Sequence, residues 1–177
     1  MRGGSEVNER LTATAGAVLF VLLAAEGVTI LSIRPLLSAH VFIGMLLVPP
    51  VALKLAATGW RFARYYRGSP EYRRKGPPLL PLRLLAPVVV VSTVALFATG
   101  ITLLVVGPGA GFVLLLHKAS FVVWLAATGI HVLFYVARVP RLASADWRPW
   151  LVVASALVAG AILAVVTVQY AESWVRV

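Results

Sequence analysis

The sequence predicts an all-α membrane protein: five transmembrane helices in an up-and-down helical bundle, one transmembrane domain over residues 1–177. Three observations carry that reading. Hydrophobic residues make up 60 % of the 177 and charged residues only 12 %, with a mean hydropathy of +0.94; a soluble domain is nearer half apolar and a quarter charged. Five apolar stretches are each long enough to cross a hydrocarbon core of ~30 Å as ~20 helical residues. Basic residues collect on one side of those stretches, as the positive-inside rule requires.

The helices are expected at about 12–33, 37–64, 83–106, 112–137 and 148–170. The apolar run of the first continues past Glu26, and no small-residue cleavage site follows, so it reads as a retained helix and not a signal peptide. Arg34-Pro35-Leu36 turns the chain into the second helix, where Pro49-Pro50 predicts a kink. The connection 65–82, YYRGSPEYRRKGPPLLPL, is basic and proline-rich and reads as a surface loop. Gly107-Pro108-Gly109-Ala110 separates the third and fourth helices, and the segment from Arg138 to Trp147 separates the fourth and fifth. Connections this short make neighbouring helices antiparallel. Trp60, Tyr65, Tyr66, Trp147, Trp150, Tyr170 and Trp174 sit where interfacial aromatic belts belong.

The formal net charge is +10, from 16 Lys+Arg against 6 Asp+Glu. With the N-terminus inside, 12 of the 16 fall on the cytoplasmic side: Arg2, Arg10, Arg61, Arg64, Arg67, Arg73, Arg74, Lys75, Arg83, Arg138, Arg141 and Arg148. Arg34 and Arg176 lie outside. The expected topology is therefore N-terminus cytoplasmic and C-terminus outside, with 65–82 a basic cytoplasmic loop lying against membrane lipid. Nucleic acid is not an expected partner. The chain has no cysteine, which excludes disulfides, zinc–thiolate sites, iron–sulfur clusters and a covalently attached c-type haem. No paired carboxylates, phosphate loop or serine triad point to hydrolytic or phosphoryl chemistry.

All three histidines, His40, His117 and His131, fall inside predicted spans, where polar groups are costly and carry functional hypotheses by default. His117 and His131 are 14 residues apart on one helix. At 100° per residue they project from nearly one face, ~21 Å apart along the axis. That is the interval of two metal centres stacked across a bilayer, with Trp124 midway. The second and fourth helices both run from outside to inside, so His40 and His117 share a depth near the outer surface. Two neutral imidazoles facing each other across a bundle suit the axial positions of a haem iron. The bundle is thus expected to hold haem between helices 2 and 4, with Gly44 letting a flat macrocycle approach the backbone.

His131 lies near the inner surface, and 14 residues beyond His40 stands Lys54. Lys54 is a fourth ligand if neutral, a haem-propionate partner, or the partner of Glu26. Alternatively the inner haem is missing and His131 is a remnant or a hydrogen-bonding core residue. Arg61, Arg64, Lys118 and Arg34 are candidate propionate partners, the first two at the inner end and the last two at the outer. Glu26, a carboxylate in the first span, is a candidate proton-relay or quinone-site group.

The segments LHKASFVVWLAATGIHVLFYVARVPR (116–141) and AHVFIGMLLVPPVALKLAATGWRFARYY (39–66), a little under a third of the chain, resemble the bacterial membrane-bound b-type cytochromes. These include cytochrome b561-like proteins and the cytochrome b subunits of hydrogenases and formate dehydrogenases. The resemblance implies haem b at one or two sites, with His40, His117 and His131 as axial ligands. It departs from the family in the absent fourth histidine, with Lys54 in its place. It also implies a bacterial inner or plasma membrane, electron transfer across it between a quinone pool and a partner redox subunit on the outer face, and a role as an electron-transfer subunit more than as an enzyme on its own. The alternative is a haem-free membrane subunit or small transporter component whose intramembrane histidines are structural or proton-relaying.

Overall fold

The computed structural model describes residues 4–74, 76, 80–135 and 146–175. Arg2, Lys75, Arg138, Arg141 and Arg176 of the charge pattern lie outside the described residues. The described chain is helical: α1 (Gly4–Leu31), α2 (Leu37–Tyr66), the single turn α3 (Pro70–Arg73), α4 (Leu80–Val106), α5 (Gly111–Tyr135), α6 (Arg148–Thr167), a 3₁₀ turn (Val168–Ala171) and a last turn α7 (Glu172–Val175). Five of its helices are long and apolar enough to cross a membrane: α1, α2, α4, α5 and the run from Arg148 to Trp174. Their outer surface is apolar as well, with Leu31, Val105 and Leu133 each more than three-quarters exposed. Exposed aliphatic side chains of this kind are the surface a bilayer solvates.

Local chemistry fixes the ends. α4 stops where Gly107 takes φ +78° and donates its N–H to the Leu103 carbonyl at 3.0 Å, a left-handed C-cap that only glycine adopts cheaply; Pro108 follows. α2 ends in the same way at Gly68, φ +86°. α1 begins eight residues earlier than the apolar pattern implies. Its first turn is polar, but the Ser5 N–H donates to Glu71 Oε1 at 2.7 Å, so a carboxylate 66 residues away satisfies one of the orphan donors every helix start leaves. Within the expected loop 65–82, Pro70 starts the short turn α3, and Tyr72 is buried. α2 continues unbroken through Pro49-Pro50.

The helices pack as two groups. α2 is central to the first, lying along both α1 and α6, while α4 lies along α5 in the second. α2 and α5 are not among the helix pairs in extensive contact. The tightest seam joins α2 to α6. A Cβ on Gly160 would strike the backbone carbonyl of Leu46, and the fully buried Leu47, Val153 and Pro50 belong to these two helices. Small residues let membrane helices approach this closely, which is how they gain dispersion energy without a hydrophobic drive.

Two predictions follow from these contacts. Gly160→Ala must move backbone against backbone and should cost about 1–3 kcal/mol in detergent-denaturation experiments. Gly129→Ala, whose Cβ would meet nothing within 4 Å, should be neutral or stabilising; equal losses for both would remove the seam from the account. At the other contact, the Ser5 N–H holds the Glu71 carboxyl below its ordinary value, with Arg64 and Arg74 adding to this. A depressed carboxyl pKa contributes stability above the ordinary carboxylate range that is lost as pH falls through the folded value. Amide exchange at Ser5, corrected for its intrinsic pH dependence, should therefore accelerate below about pH 4 in the wild type, and Glu71→Gln should flatten that dependence.

Candidate functional site

His40 sits in the first turn of α2, facing α1. Its Nδ1 lies 2.9 Å from Glu26 Oε1 and 3.0 Å from Thr29 Oγ1. The Thr29 hydroxyl donates its own proton to the Glu26 carbonyl at 2.6 Å, so toward His40 it accepts. Nδ1 therefore carries the hydrogen. In a neutral ring the lone pair is then on Nε2.

His117, on α5, repeats the arrangement with α4. Its Nδ1 lies 3.1 Å from Thr99 Oγ1 and 3.2 Å from the Leu96 carbonyl. A carbonyl only accepts, and Thr99 donates to Ala95 at 2.7 Å, so this Nδ1 is a donor too. The ring lies over Gly100, with Cε1 3.1 Å from where a Cβ would stand. Neither Nε2 makes a hydrogen bond among the described residues. The charge of His40 reaches His117, so the two rings occupy one electrostatic neighbourhood although their helices do not pack extensively.

Toward the other end of the helices, the charge of Lys54 likewise reaches His131. Lys54 is committed to α1. Its Nζ donates to the Thr12 carbonyl at 2.8 Å and lies 2.9 Å from the Cβ position of Gly16. Lys54 is thus not the partner of Glu26, whose hydrogen bond goes to His40. Between the two levels Trp124 donates Nε1–H to Thr93 Oγ1 at 3.1 Å and stacks on Phe121. Gly44 faces the Glu26 carboxylate, whose Oε1 lies 3.5 Å from its Cβ position; the missing side chain there makes room for a carboxylate.

The remaining candidates lie at the helix ends. Arg64 spreads over the Trp60 and Tyr72 rings, 5.9 and 6.0 Å from their centroids, and is exposed. Arg61 is half-buried. Lys118 and Arg34 are exposed, Lys118 beside His117 in sequence and Arg34 in the α1–α2 turn.

Sequence reasoning missed Thr29, Thr99, Leu96, Gly100, Thr93, Thr12 and Gly16, the residues that hold the candidates. Hairpin geometry carried a signal for several of them. Gly100 lies seven residues before Gly107 and His117 seven after Ala110; Thr93 and Trp124 lie 14 from the same turn residues. On the other hairpin, Thr12 precedes Glu26 by 14 residues, as His40 precedes Lys54. Among the described residues no group of three or more His, Asp or Glu side chains could hold a bare metal ion. Two imidazoles suit a metal that brings its own equatorial donors. The chain matches no protein-family model, no curated protein and no solved structure.

The Trp124–Thr93 bond is testable without any cofactor. A double-mutant cycle of Trp124→Phe and Thr93→Val should return a coupling of about 0.5–1.5 kcal/mol; strictly additive losses would mean that the bond does not stabilise the α4–α5 pair.

Proposed function

We propose that the chain is a b-type membrane cytochrome that carries electrons across a bacterial plasma membrane, with one haem b between α2 and α5 ligated by His40 and His117. The observation that supports it best is the matched fixing of two imidazoles. Each Nδ1–H is spent on acceptors from a neighbouring helix, which orients the ring and leaves Nε2 as the electron-pair donor; ligating histidines are held this way by their outer-shell partners. The two rings lie on helices that leave each other largely unpacked, which is where a flat group fits in a helical bundle.

Haem supplies a one-electron iron couple when bound. The chain contributes the axial nitrogens, the acceptors that orient them and an apolar sheath of low dielectric. Arg34 and Lys118, exposed near the same end, are the propionate partners this reading implies. At the inner level Lys54 spends its amine on Thr12, so no second axial pair is assigned there; His131 and Lys54 form a polar pair within the sheath. By charge distribution the N-terminus lies in the cytoplasm and the C-terminus outside, which puts the haem level near the outer face. A redox partner subunit would dock there and exchange electrons, with a membrane quinone as the other reactant.

The haem-supplied protein should show the sharp reduced-minus-oxidised α-band of a low-spin b haem. His40→Ala and His117→Ala should each abolish it, and Lys54→Met should leave it in place. An unchanged band in both alanine variants would refute this ligand assignment, and a wild-type protein without any band would leave the haem-free alternative standing.

A further inference from the structure

The two proposed ligands are held by unequal partners. His117 donates to a hydroxyl and a peptide carbonyl, both neutral. His40 donates to a hydroxyl and a carboxylate side chain, Glu26, at 3.0 and 2.9 Å. The Glu26 side chain is only 14 % exposed, and its second oxygen, Oε2, is buried with no hydrogen-bond partner among the described residues. Burying a carboxyl with one oxygen unsatisfied costs free energy that packing alone does not repay. The local sequence is nonetheless built around it. Gly44, one turn beyond His40, leaves the space that Oε1 occupies, and Thr29, three residues after Glu26, turns its hydroxyl back onto the Glu26 carbonyl so that it faces His40 as an acceptor.

We infer that Glu26 is a positioning residue that sets the donor strength of His40, and through it the reduction potential of the haem. The inference rests on the haem reading above. An anionic acceptor on Nδ1–H draws that hydrogen away from the ring and makes Nε2 a stronger σ-donor. A stronger donor favours the higher oxidation state of the iron and lowers its potential. The asymmetry then has a use: His40 is the tuned ligand, and His117 the neutral one. It also gives Glu26 a role distinct from the proton-relay or quinone-site role its position first implied.

The test compares haem-supplied wild type, Glu26→Gln, Glu26→Asp and Thr99→Val by potentiometric titration of the α-band and by electron paramagnetic resonance of the oxidised protein. Glu26→Gln keeps a neutral acceptor in place. It should shift the one-electron equilibrium toward reduction by tenfold or more, equivalent to ~59 mV, and should change the g-anisotropy of the low-spin signal. Glu26→Asp keeps the charge but withdraws it by one methylene, and should shift the potential in the same direction by less. Thr99→Val, which removes a neutral acceptor from His117, should move it least. A Glu26→Gln protein with an intact α-band and a wild-type potential would overturn the inference while leaving the haem reading untouched. Should Glu26→Gln fail to fold, an unshifted Glu26→Asp potential overturns it equally. A wild type without an α-band removes both.

Discussion

An imidazole inside an apolar sheath must spend its N–H on an acceptor, because water is not there to take it. The arrangement of the four polar helices depends on that requirement. α1 supplies the acceptors for His40 through Glu26 and Thr29, and α4 supplies those for His117 through Thr99 and Leu96. Each ligand-bearing helix therefore has its own supporting helix, joined to it by the tightest turns in the chain. The helices that carry the histidines need not pack on each other, and they do so little. Lys54 follows the same rule with the Thr12 carbonyl, and Trp124 with the Thr93 hydroxyl.

Glycines make these meetings possible. Gly16 lies under the Lys54 amine, Gly44 under the Glu26 carboxylate and Gly100 under the His117 ring. In each case a polar side chain from the neighbouring helix lies where a Cβ would stand. Gly160 does a different task, bringing α6 onto the α2 backbone, so that α2 is fixed on one side by packing and on the other by hydrogen bonds to α1.

The five helices were legible because a bilayer-length apolar run is a strong signal, and the turn residues Gly107 and Gly68 take the left-handed conformation that ends a helix. The early start of α1 was not legible, since its capping carboxylate, Glu71, comes from a distant segment. His40, His117, His131 and Lys54 stood out by rarity and by their 14-residue spacing, and the structure brings them into two levels, each pair within electrostatic reach. Their supports were hidden in plain threonines and glycines, which are common in membrane helices and carry meaning only once hairpin register pairs them. Gly44 shows the limit most clearly: its lack of a side chain was read as space for a macrocycle, and that space is taken by Glu26. Lys54 shows another, since three partners were open to it and the one it uses is a backbone carbonyl.

The central claim is that this chain holds a single haem between His40 and His117. It is tested most directly by loading the purified protein with haem and measuring haem per chain together with the electron paramagnetic resonance of the oxidised form. The account predicts one haem per chain with a six-coordinate, low-spin, bis-imidazole signal. Two haems per chain, a five-coordinate high-spin signal or no bound haem at all would contradict it.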